Sequence, residues 1–323
     1  MGKSRKPLKA ALQSQQSRLK LKQKASQAAQ TAELKAKKNA TGPKGKSSKG
    51  KGKEAALPPR RPTIPFCATD RILLIGEGNF SFARALIKDA PAELEHLSPN
   101  NITATAYDTE HECYEKYPEA EDIVEELRAA GVEVLFAVDA TQLSKVAALK
   151  GKKWDRIVWN FPHAGKGIPD QDRNILSNQL LILGFLRSAA GLLVAGPVPE
   201  VFKPKKRKQA DDEDDEDVGD NSNDLEDDIF VQPVTYRGTI LITLRNVSPY
   251  TQWDVPRLAK NPPPLTSGST PPNPRYTLLR SFAFNRSIWK AYEHRMTKGD
   301  RAHGTGKTGE GGEDRTWQFC LKD

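Results

Sequence analysis

Residues 71–82, Arg-Ile-Leu-Leu-Ile-Gly-Glu-Gly-Asn-Phe-Ser-Phe, contain a short apolar run, a turn with two glycines and the beginning of a helical stretch. A continuous apolar run of this length is typical of a buried parallel strand. Gly76 and Gly78 allow the backbone to turn tightly and to approach a ligand closely. The order of strand, glycine turn and helix predicts a nucleotide-type binding turn. A plain tight turn is the alternative, because the third glycine of the dinucleotide pattern is absent.

The same alternation continues along the chain. Apolar strands are predicted at 102–107, 132–138, 154–159 and 238–244, and helices at 80–88, 121–130, 141–150 and 172–190. A helix-like stretch at 288–296 and the segments 276–284 and 316–321 complete the pattern. Strands that alternate with helices in this way predict an α/β fold with an open, mostly parallel sheet and helices on both of its faces.

The N-terminal part has a different composition. The chain has 323 residues, 37% of them hydrophobic, and a net charge of +9, and residues 1–60 hold 17 Lys and Arg against only Glu33 and Glu54. A segment this basic and this poor in apolar residues cannot bury enough surface to fold. We therefore expect a disordered basic tail over 1–66, which acts as a nucleic-acid tether or a nuclear address or, alternatively, as a solubilising tail.

The remaining residues, 67–323, are predicted to form one domain with a charged insertion at about 198–233. The insertion opens with the basic cluster 203–208 and continues with the acidic run 211–217. Blocks of like charge repel and stay unfolded, so we interpret it as a surface loop. Its basic cluster has the character of a nuclear-localisation patch.

Several protein classes are disfavoured by composition. No apolar run is long enough for a transmembrane helix, and the N-terminus has no secretory signal, so we expect an intracellular protein. The cysteines are Cys67, Cys113 and Cys320, whose number and spacing fit neither a disulfide framework nor a zinc site. No candidate metal site is apparent.

Polar residues follow the predicted strands at the points where those strands end. The glycine turn follows the first strand, Asp108 the second, Asp139 the third and Asn160 the fourth. In open α/β sheets, ligands bind beyond the carboxyl ends of the strands. Asp108 there can accept hydrogen bonds from ribose hydroxyls, and Asp139 can bind an adenine amino group. Either aspartate can instead cap the helix that follows it.

The turn at 160–165, Asn-Phe-Pro-His-Ala-Gly, is the most specific feature. Asn160 carries a donor and an acceptor that can read the edge of a base, and Phe161 offers a flat face for stacking. Pro162 fixes the backbone, and His163 can exchange protons near neutral pH. The alternative is a turn whose phenylalanine packs into the core.

The motifs GEGNFSF, TATAYD, WNFPHAG and FNRSIWKAYEHRMTKG together resemble the eukaryotic 25S rRNA (uridine-N3)-methyltransferase family over about residues 71–321. This resemblance implies a Rossmann-like methyltransferase domain that uses S-adenosylmethionine. It implies that Gly76, Glu77, Gly78 and Asn79 line the methionine part of the cofactor, that Asp108 holds its ribose and that Asp139 holds its adenine. Phe80 is expected among the cofactor-binding residues as well.

The resemblance also places Asn160, Phe161, Pro162 and His163 beside the target base, where related base N-methyltransferases carry an Asn-Pro-Pro-Tyr type motif. We expect Asn160 to orient the base edge, Phe161 to stack on it, and His163 or a nearby carboxylate to take the N3 proton. The base must be single-stranded or flipped out, because N3 is inaccessible inside a Watson–Crick pair.

The expected partner is large-subunit rRNA or a pre-ribosomal particle, with no membrane, a nucleolar location in the nucleus and a monomeric chain. Three alternatives stay open. They are a nucleotide-dependent oxidoreductase, a non-catalytic RNA-binding factor of ribosome assembly, and a methyltransferase that acts on another RNA or on a protein. In the segment 285–290 we expect Trp289 to be buried and Arg286 and Lys290 to be exposed.

Overall fold

The computed structural model describes residues 62–199, 236–264, 271–297, 299 and 313–323. Apart from residues 62–66, the predicted basic tail lies outside the described residues. So does the charged insertion predicted at 198–233, apart from residues 198–199.

The described residues form a sheet of seven strands. The strands are β1 Ile72–Leu74, β2 Ile102–Thr105, β3 Glu133–Leu135, β4 Arg156–Asn160, β5 Thr239–Arg245, β6 Tyr276–Ala283 and β7 Asp314–Leu321. Their order across the sheet is β3-β2-β1-β4-β5-β7-β6. The strands from β3 to β5 pair in parallel, and β7 runs antiparallel between β5 and β6. This is the predicted mostly parallel sheet. Its strand order reverses next to β1, because β2 and β3 lie on one side of β1 and β4 and β5 lie on the other.

Helices cover both faces of this sheet, as the sequence predicts. They are α1 Ser81–Ile87, α2 Glu110–Lys116, α3 Ala120–Ala130, α4 Gln171–Ala190 and α5 Val255–Lys260. One hydrophobic core lies between the sheet and α4 and α5, and a second lies between the sheet and α1 and α3. Both faces are therefore buried, which explains why the parallel strands are continuous apolar runs instead of alternating ones.

The side chains of β4 alternate between these two cores. Ile157 and Trp159 belong to the core on the α4 side, whereas Val158 belongs to the core on the α1 side. Since successive residues of a strand point to opposite faces, Asn160 at the end of β4 points to the same side as Val158. The strand thus delivers an amide side chain to the α1 side of the carboxyl edge.

Two predicted helices are wrong. Residues 141–150 form short 3-10 helices at Ala140–Lys145 and Ala147–Leu149, with a non-helical Gln142 in the first of them. The helix-like stretch 288–296 is irregular apart from a 3-10 turn at Arg286–Ile288. Its apolar and aromatic residues pack against the sheet edge and α1 instead of forming one helical stripe.

The packed part of the chain begins inside the predicted tail. Phe66 is 6% exposed. Its ring lies 6.4 Å from that of Phe82 and 5.9 Å from that of Trp289, centroid to centroid. Trp289 is buried and Lys290 exposed, as predicted, but Arg286 is partly buried. Among the described residues, no helix is long and apolar enough to cross a membrane.

Candidate active site at the carboxyl edge of the sheet

The turns that follow β1, β2, β3 and β4 come together at the carboxyl edge. The N–H of Glu77 donates to the carbonyl oxygen of Thr105 at 2.8 Å, and the N–H of Ala137 donates to that of Asp108 at 2.9 Å. These bonds tie the glycine turn to the end of β2, and the end of β2 to the turn after β3. The sequence-predicted positions Gly76, Asp108, Asp139 and Asn160 therefore all lie at this edge.

Gly76 needs to be a glycine for two reasons. Its φ of 63° lies in the left-handed region, and a Cβ built on it would lie 2.9 Å from Nε1 of Trp159. A Cβ on Gly78 would lie 3.4 Å from the Tyr117 ring and 3.5 Å from Cβ of Arg295. Side chains of the protein thus pack closely beside both glycines, and the turn lies at the point where the sheet order reverses, which is where ligands bind in open α/β sheets.

Glu77 directs its carboxylate to the beginning of α1. Oε2 accepts a hydrogen bond from the N–H of Ala83 at 3.2 Å. Burial raises the pKa of Glu77 to about 7, although bonds from the N–H groups of Ala83 and Phe82 act in the opposite direction. This carboxyl group therefore changes its charge near neutral pH, which is unusual for a glutamate.

Asn79 and Phe80 are buried and hold the turn in place. Oδ1 of Asn79 accepts from the N–H of Ser81 at 3.2 Å, and Nδ2 donates to Glu119 at 2.8 Å. Phe80 has a left-handed φ of 60° and packs against Phe136 at 5.3 Å between ring centroids. The side chains of these two residues are thus engaged by the protein itself.

Asp108 does not cap the helix that follows it. Thr109 caps α2 and forms a capping box with Glu112. The carboxylate of Asp108 instead forms an ion pair with Lys116 of the same helix. The capping alternative for Asp108 is thereby removed, and its carboxylate stays at the carboxyl edge beside the glycine turn.

Asp139, in contrast, is a helix cap. One carboxylate oxygen accepts from the N–H and the hydroxyl of Thr141 at 2.8 and 2.7 Å, and the other accepts from Gln142 at 2.8 Å. Burial alone would raise the pKa of Asp139, but these hydrogen bonds outweigh it and hold the pKa below its usual value. Both carboxylate oxygens of Asp139 are thus engaged by the helix that it caps, as the capping alternative predicts.

Asn160 has a buried amide with no hydrogen-bond partner at either Nδ2 or Oδ1. It lines a small cavity on the α1 side of the sheet together with Phe82, Thr243, Phe284 and Asn285. Leaving a buried amide unpaired costs about 1–3 kcal/mol, so such a group in a native fold needs an explanation. A ligand that pairs with the amide is the explanation most consistent with its place at the end of β4.

Phe161 has a left-handed φ of 53°, and its N–H donates to the carbonyl oxygen of Thr243 at 2.8 Å. The ring lies 4.4 Å from that of His294 and 5.9 Å from that of Phe284, and the guanidinium of Arg286 lies over it at 5.0 Å. Much of the ring is therefore already in contact with the protein, so stacking on a base requires one of these groups to move.

Pro162 is buried, and His163 faces a different part of the protein from Phe161. The ring of His163 lies 5.9 Å from that of Trp253, which belongs to the core on the α4 side. Its Nδ1 accepts from the N–H of Gly165 at 2.9 Å. The four residues of this turn are adjacent in sequence, but the structure does not bring their side chains to one side.

Residues 285–297, which we call the covering segment, cross the carboxyl edge above these turns. The hydroxyl of Ser81 donates to the carbonyl oxygen of Glu293 at 2.9 Å and accepts from the N–H of the same residue at 3.0 Å. The hydroxyl of Tyr117 donates to the carbonyl oxygen of Met296 at 2.6 Å. Arg295 pairs with Glu119 at 2.8 Å. The segment is thus fastened to α1 and to the α2–α3 region.

The covering segment places His294 against the ring of Phe161 and Tyr292 against His294, and neither residue was predicted from the sequence. The hydroxyl of Tyr292 lies 3.1 Å from Nδ1 of His294. Burial, and then the positive charges of Arg286 and Arg245, lower the pKa of His294 to about 4. His294 is therefore neutral at physiological pH. Both residues lie in the motif FNRSIWKAYEHRMTKG, which carried part of the family resemblance, but no local periodicity singled them out.

Residues 73–296 match the BMT5-like family, described as rRNA (uridine-N3-)-methyltransferases. The matched range includes every predicted site residue and also Tyr292 and His294. Over 260 residues the chain is 29% identical to the 25S rRNA (uridine(2634)-N(3))-methyltransferase of Saccharomyces cerevisiae, a match that covers 74% of this chain and 69% of the yeast protein.

Two shorter matches are with proteins of mammals. The chain is 39% identical over 130 residues to the ferredoxin-fold anticodon-binding domain-containing protein 1 homolog of Mus musculus, and 35% identical over 126 residues to its counterpart in Homo sapiens. These matches cover 40% and 39% of this chain, but only 19% and 18% of the mouse and human proteins. They show similarity to one part of much longer chains.

Proposed function

Because the chain belongs to the BMT5-like family of rRNA (uridine-N3-)-methyltransferases, we propose that it transfers a methyl group from S-adenosylmethionine to N3 of a uridine in large-subunit, 25S-type rRNA. The observation that carries this proposal is the unpaired, buried amide of Asn160 at the carboxyl end of β4. An amide there can pair with the edge of a base that has left its helix.

The residues of the carboxyl edge fit the cofactor. Gly76 and Gly78 supply the bare backbone against which the methionine part would lie, and Asp108 supplies a carboxylate for the ribose hydroxyls. Asp139 would reach the adenine only by sharing a carboxylate that already accepts bonds from Thr141 and Gln142. When bound, S-adenosylmethionine supplies the methyl group and retains the electron pair of the broken carbon–sulfur bond.

Methyl transfer to uridine requires the removal of the proton on N3. N3 of uridine is an imide nitrogen whose lone pair becomes available only after its proton leaves, and methyl transfer otherwise depends mainly on close positioning. Asn160 would donate from Nδ2 to a carbonyl oxygen of uracil and so orient the ring. Phe161 would stack on the base after the guanidinium of Arg286 moves from its ring.

The remaining charges fit an RNA substrate. The net charge of +15 over residues 1–60 would bind phosphates without reading sequence, and the cluster 203–208 would serve as a nuclear address. We therefore propose action on rRNA or a pre-ribosomal particle in the nucleolus. The yeast relative, a 25S rRNA (uridine(2634)-N(3))-methyltransferase, supports the choice of rRNA.

Incubation of the full-length protein with S-adenosylmethionine and in vitro transcripts tests the proposal. We expect 3-methyluridine, detected by nucleoside mass spectrometry, in the large-subunit transcript and not in small-subunit rRNA or tRNA transcripts. Methylation of tRNA or of a protein instead would show that the substrate is not large-subunit rRNA. RNA binding without S-adenosylmethionine binding would support the non-catalytic assembly factor.

A further inference from the structure

Two histidines lie near the carboxyl end of β4, and they contact different groups. His163 contacts Trp253 and the backbone of Gly165. His294 contacts the ring of Phe161, the residue next to Asn160, and its Nδ1 lies 3.1 Å from the hydroxyl of Tyr292. Only the second histidine therefore shares a side of the sheet with the unpaired amide.

We propose that His294, and not His163, takes the N3 proton of the target uridine, and that Tyr292 holds the His294 ring in the orientation that leaves its Nε2 free for this proton. The inference rests on the proposed function, since it concerns the proton that N3 methylation must release. His294 is the residue that would touch the base, while Tyr292 acts through it as a positioning residue.

The position of His294 is fixed from two directions. The neighbouring residue Glu293 forms both of its backbone hydrogen bonds with the hydroxyl of Ser81 at the beginning of α1. On the other side the ring lies 4.4 Å from that of Phe161, whose backbone is bonded to β5 through Thr243. The imidazole is thus held between α1 and the end of β4, and its hydrogen-bonded atom faces Tyr292.

Tyr292 supports His294 from the side of α1, because its hydroxyl lies against Nδ1 of His294 and its ring packs on Phe82. The ring of Tyr292 packs 5.6 Å from that of Phe82, next to Ala83, whose N–H is bonded to the Glu77 carboxylate. Burial, and then the nearby charge of Glu77, raise the pKa of Tyr292 above its usual value. The phenol therefore stays protonated, and its oxygen can accept a hydrogen bond from Nδ1 of His294.

The charged groups around His294 favour a neutral ring and an anionic base. Arg286 follows β6 and Arg245 ends β5, and both lower the pKa of His294, while Asp314 of β7 pairs with Arg286 at 2.7 Å. The positive charges of Arg286 and Arg245 would also stabilise the negative charge that spreads onto the uracil oxygens as N3 loses its proton.

The proposed transfer is balanced. The N3–H bond breaks and its proton goes to Nε2 of His294, while the proton on Nδ1 stays in the hydrogen bond to the oxygen of Tyr292. The electron pair left on N3 forms the new bond to the methyl group. The methylated base is neutral afterwards, and His294 regains its starting protonation by releasing the proton to water.

The test compares His294→Gln with His163→Gln in the full-length protein, on a transcript of large-subunit rRNA with saturating S-adenosylmethionine. We expect kcat for 3-methyluridine formation to fall roughly 10²- to 10⁴-fold in His294→Gln, the range for loss of a general base, and to change little in His163→Gln. Tyr292→Phe, which keeps the ring, should also lower kcat. S-adenosylmethionine binding by calorimetry and the Tm should stay near wild type in all three variants.

A second transcript separates proton transfer from simple positioning. When 5-fluorouridine replaces uridine, N3 is more acidic and depends less on a base. The kcat deficit of His294→Gln should then shrink several-fold. An unchanged deficit, or wild-type kcat in His294→Gln, would overturn the inference while the proposed function stands. If the wild-type protein forms no 3-methyluridine, the proposed function is wrong and the inference with it.

Discussion

The rings of His294 and Phe161 lie 4.4 Å apart, centroid to centroid, with their planes tilted by 55°. Phe161 belongs to the turn after β4, and His294 belongs to the covering segment. This contact joins two parts of the chain that are distant in sequence, and it places a neutral imidazole against the ring of the residue that follows Asn160. The candidate site is thus made by the carboxyl edge of the sheet together with the segment that crosses it.

Asn160→Ala should abolish methyl transfer without lowering the Tm, because the amide makes no hydrogen bond in the structure. The matched control is Asn178→Ala. Asn178 is buried and uses its amide fully, accepting from the N–H of Ala164 and donating to Asn174. Each lost bond costs about 1 kcal/mol, so the control should lose stability. Thermal unfolding and 3-methyluridine formation are measured together, and an active Asn160→Ala would remove this residue from the site.

Gly76→Ala should destabilise the protein by about 1–2 kcal/mol from its left-handed backbone alone. The contact with Trp159 adds strain, since the new Cβ would lie 2.9 Å from Nε1. S-adenosylmethionine binding, measured by calorimetry, should weaken as well. Gly191→Ala serves as the control, because its φ is −72° and a Cβ there meets nothing within 4 Å. Equal effects at the two glycines would contradict this account of the turn.

Asp108→Asn should weaken S-adenosylmethionine binding more than it changes stability, because Asp108 leaves the capping of α2 to its neighbour. Thr109→Ala should do the opposite. It removes the capping box with Glu112 and should cost about 0.5–2 kcal/mol of stability. Calorimetry and denaturant unfolding of both variants check the two effects. A loss of cofactor affinity in Thr109→Ala alone would place the ribose elsewhere.

Glu77 makes stability depend on pH. Its pKa in the folded protein, about 7, lies above the ordinary value of 4.5, so the folded state binds the proton more tightly than the unfolded state. This contribution is fully present below about pH 4.5 and is lost as the pH rises through 7. Between pH 5 and pH 8 the wild type should therefore lose free energy of unfolding, and Glu77→Gln should lose less of it.

The pH comparison must be made between the two proteins and not within one. The lowered pKa of His294 gives the opposite trend, with stability lost as the pH falls from 6.5 towards 4, but both proteins contain this residue. Glu126→Gln, at an exposed ion pair with Lys88, controls for loss of a surface charge. Identical pH dependence in wild type and Glu77→Gln would mean that the carboxylate is not buried as described.

The parallel part of the sheet was predictable because β1 to β4 are short apolar runs that lead into Gly, Asp or Asn. The residue at the end of a parallel strand must lie at the carboxyl edge, so Gly76, Asp108, Asp139 and Asn160 could be placed there without coordinates. The helix predicted at 141–150 was wrong because Asp139 caps a tighter turn, and Gln142 departs from helical geometry.

The covering segment could not be predicted in the same way. The bonds between Ser81 and Glu293 join residues 212 positions apart, and no local pattern specifies such a contact. The direction in which each side chain of the turn after β4 points could not be predicted from the sequence either. Phe161 takes a left-handed φ, which separates its ring from that of His163 even though the two are neighbours in sequence.

The most direct measurement is nucleoside mass spectrometry of large-subunit rRNA from cells that carry the wild-type gene, a deletion or Asn160→Ala. We predict that 3-methyluridine is present with the wild type and lost in both other strains, while the Asn160→Ala protein accumulates to a normal level. An unchanged amount of 3-methyluridine in all three strains would contradict the proposed function. Loss in the deletion alone would leave the activity in place and remove Asn160 from it.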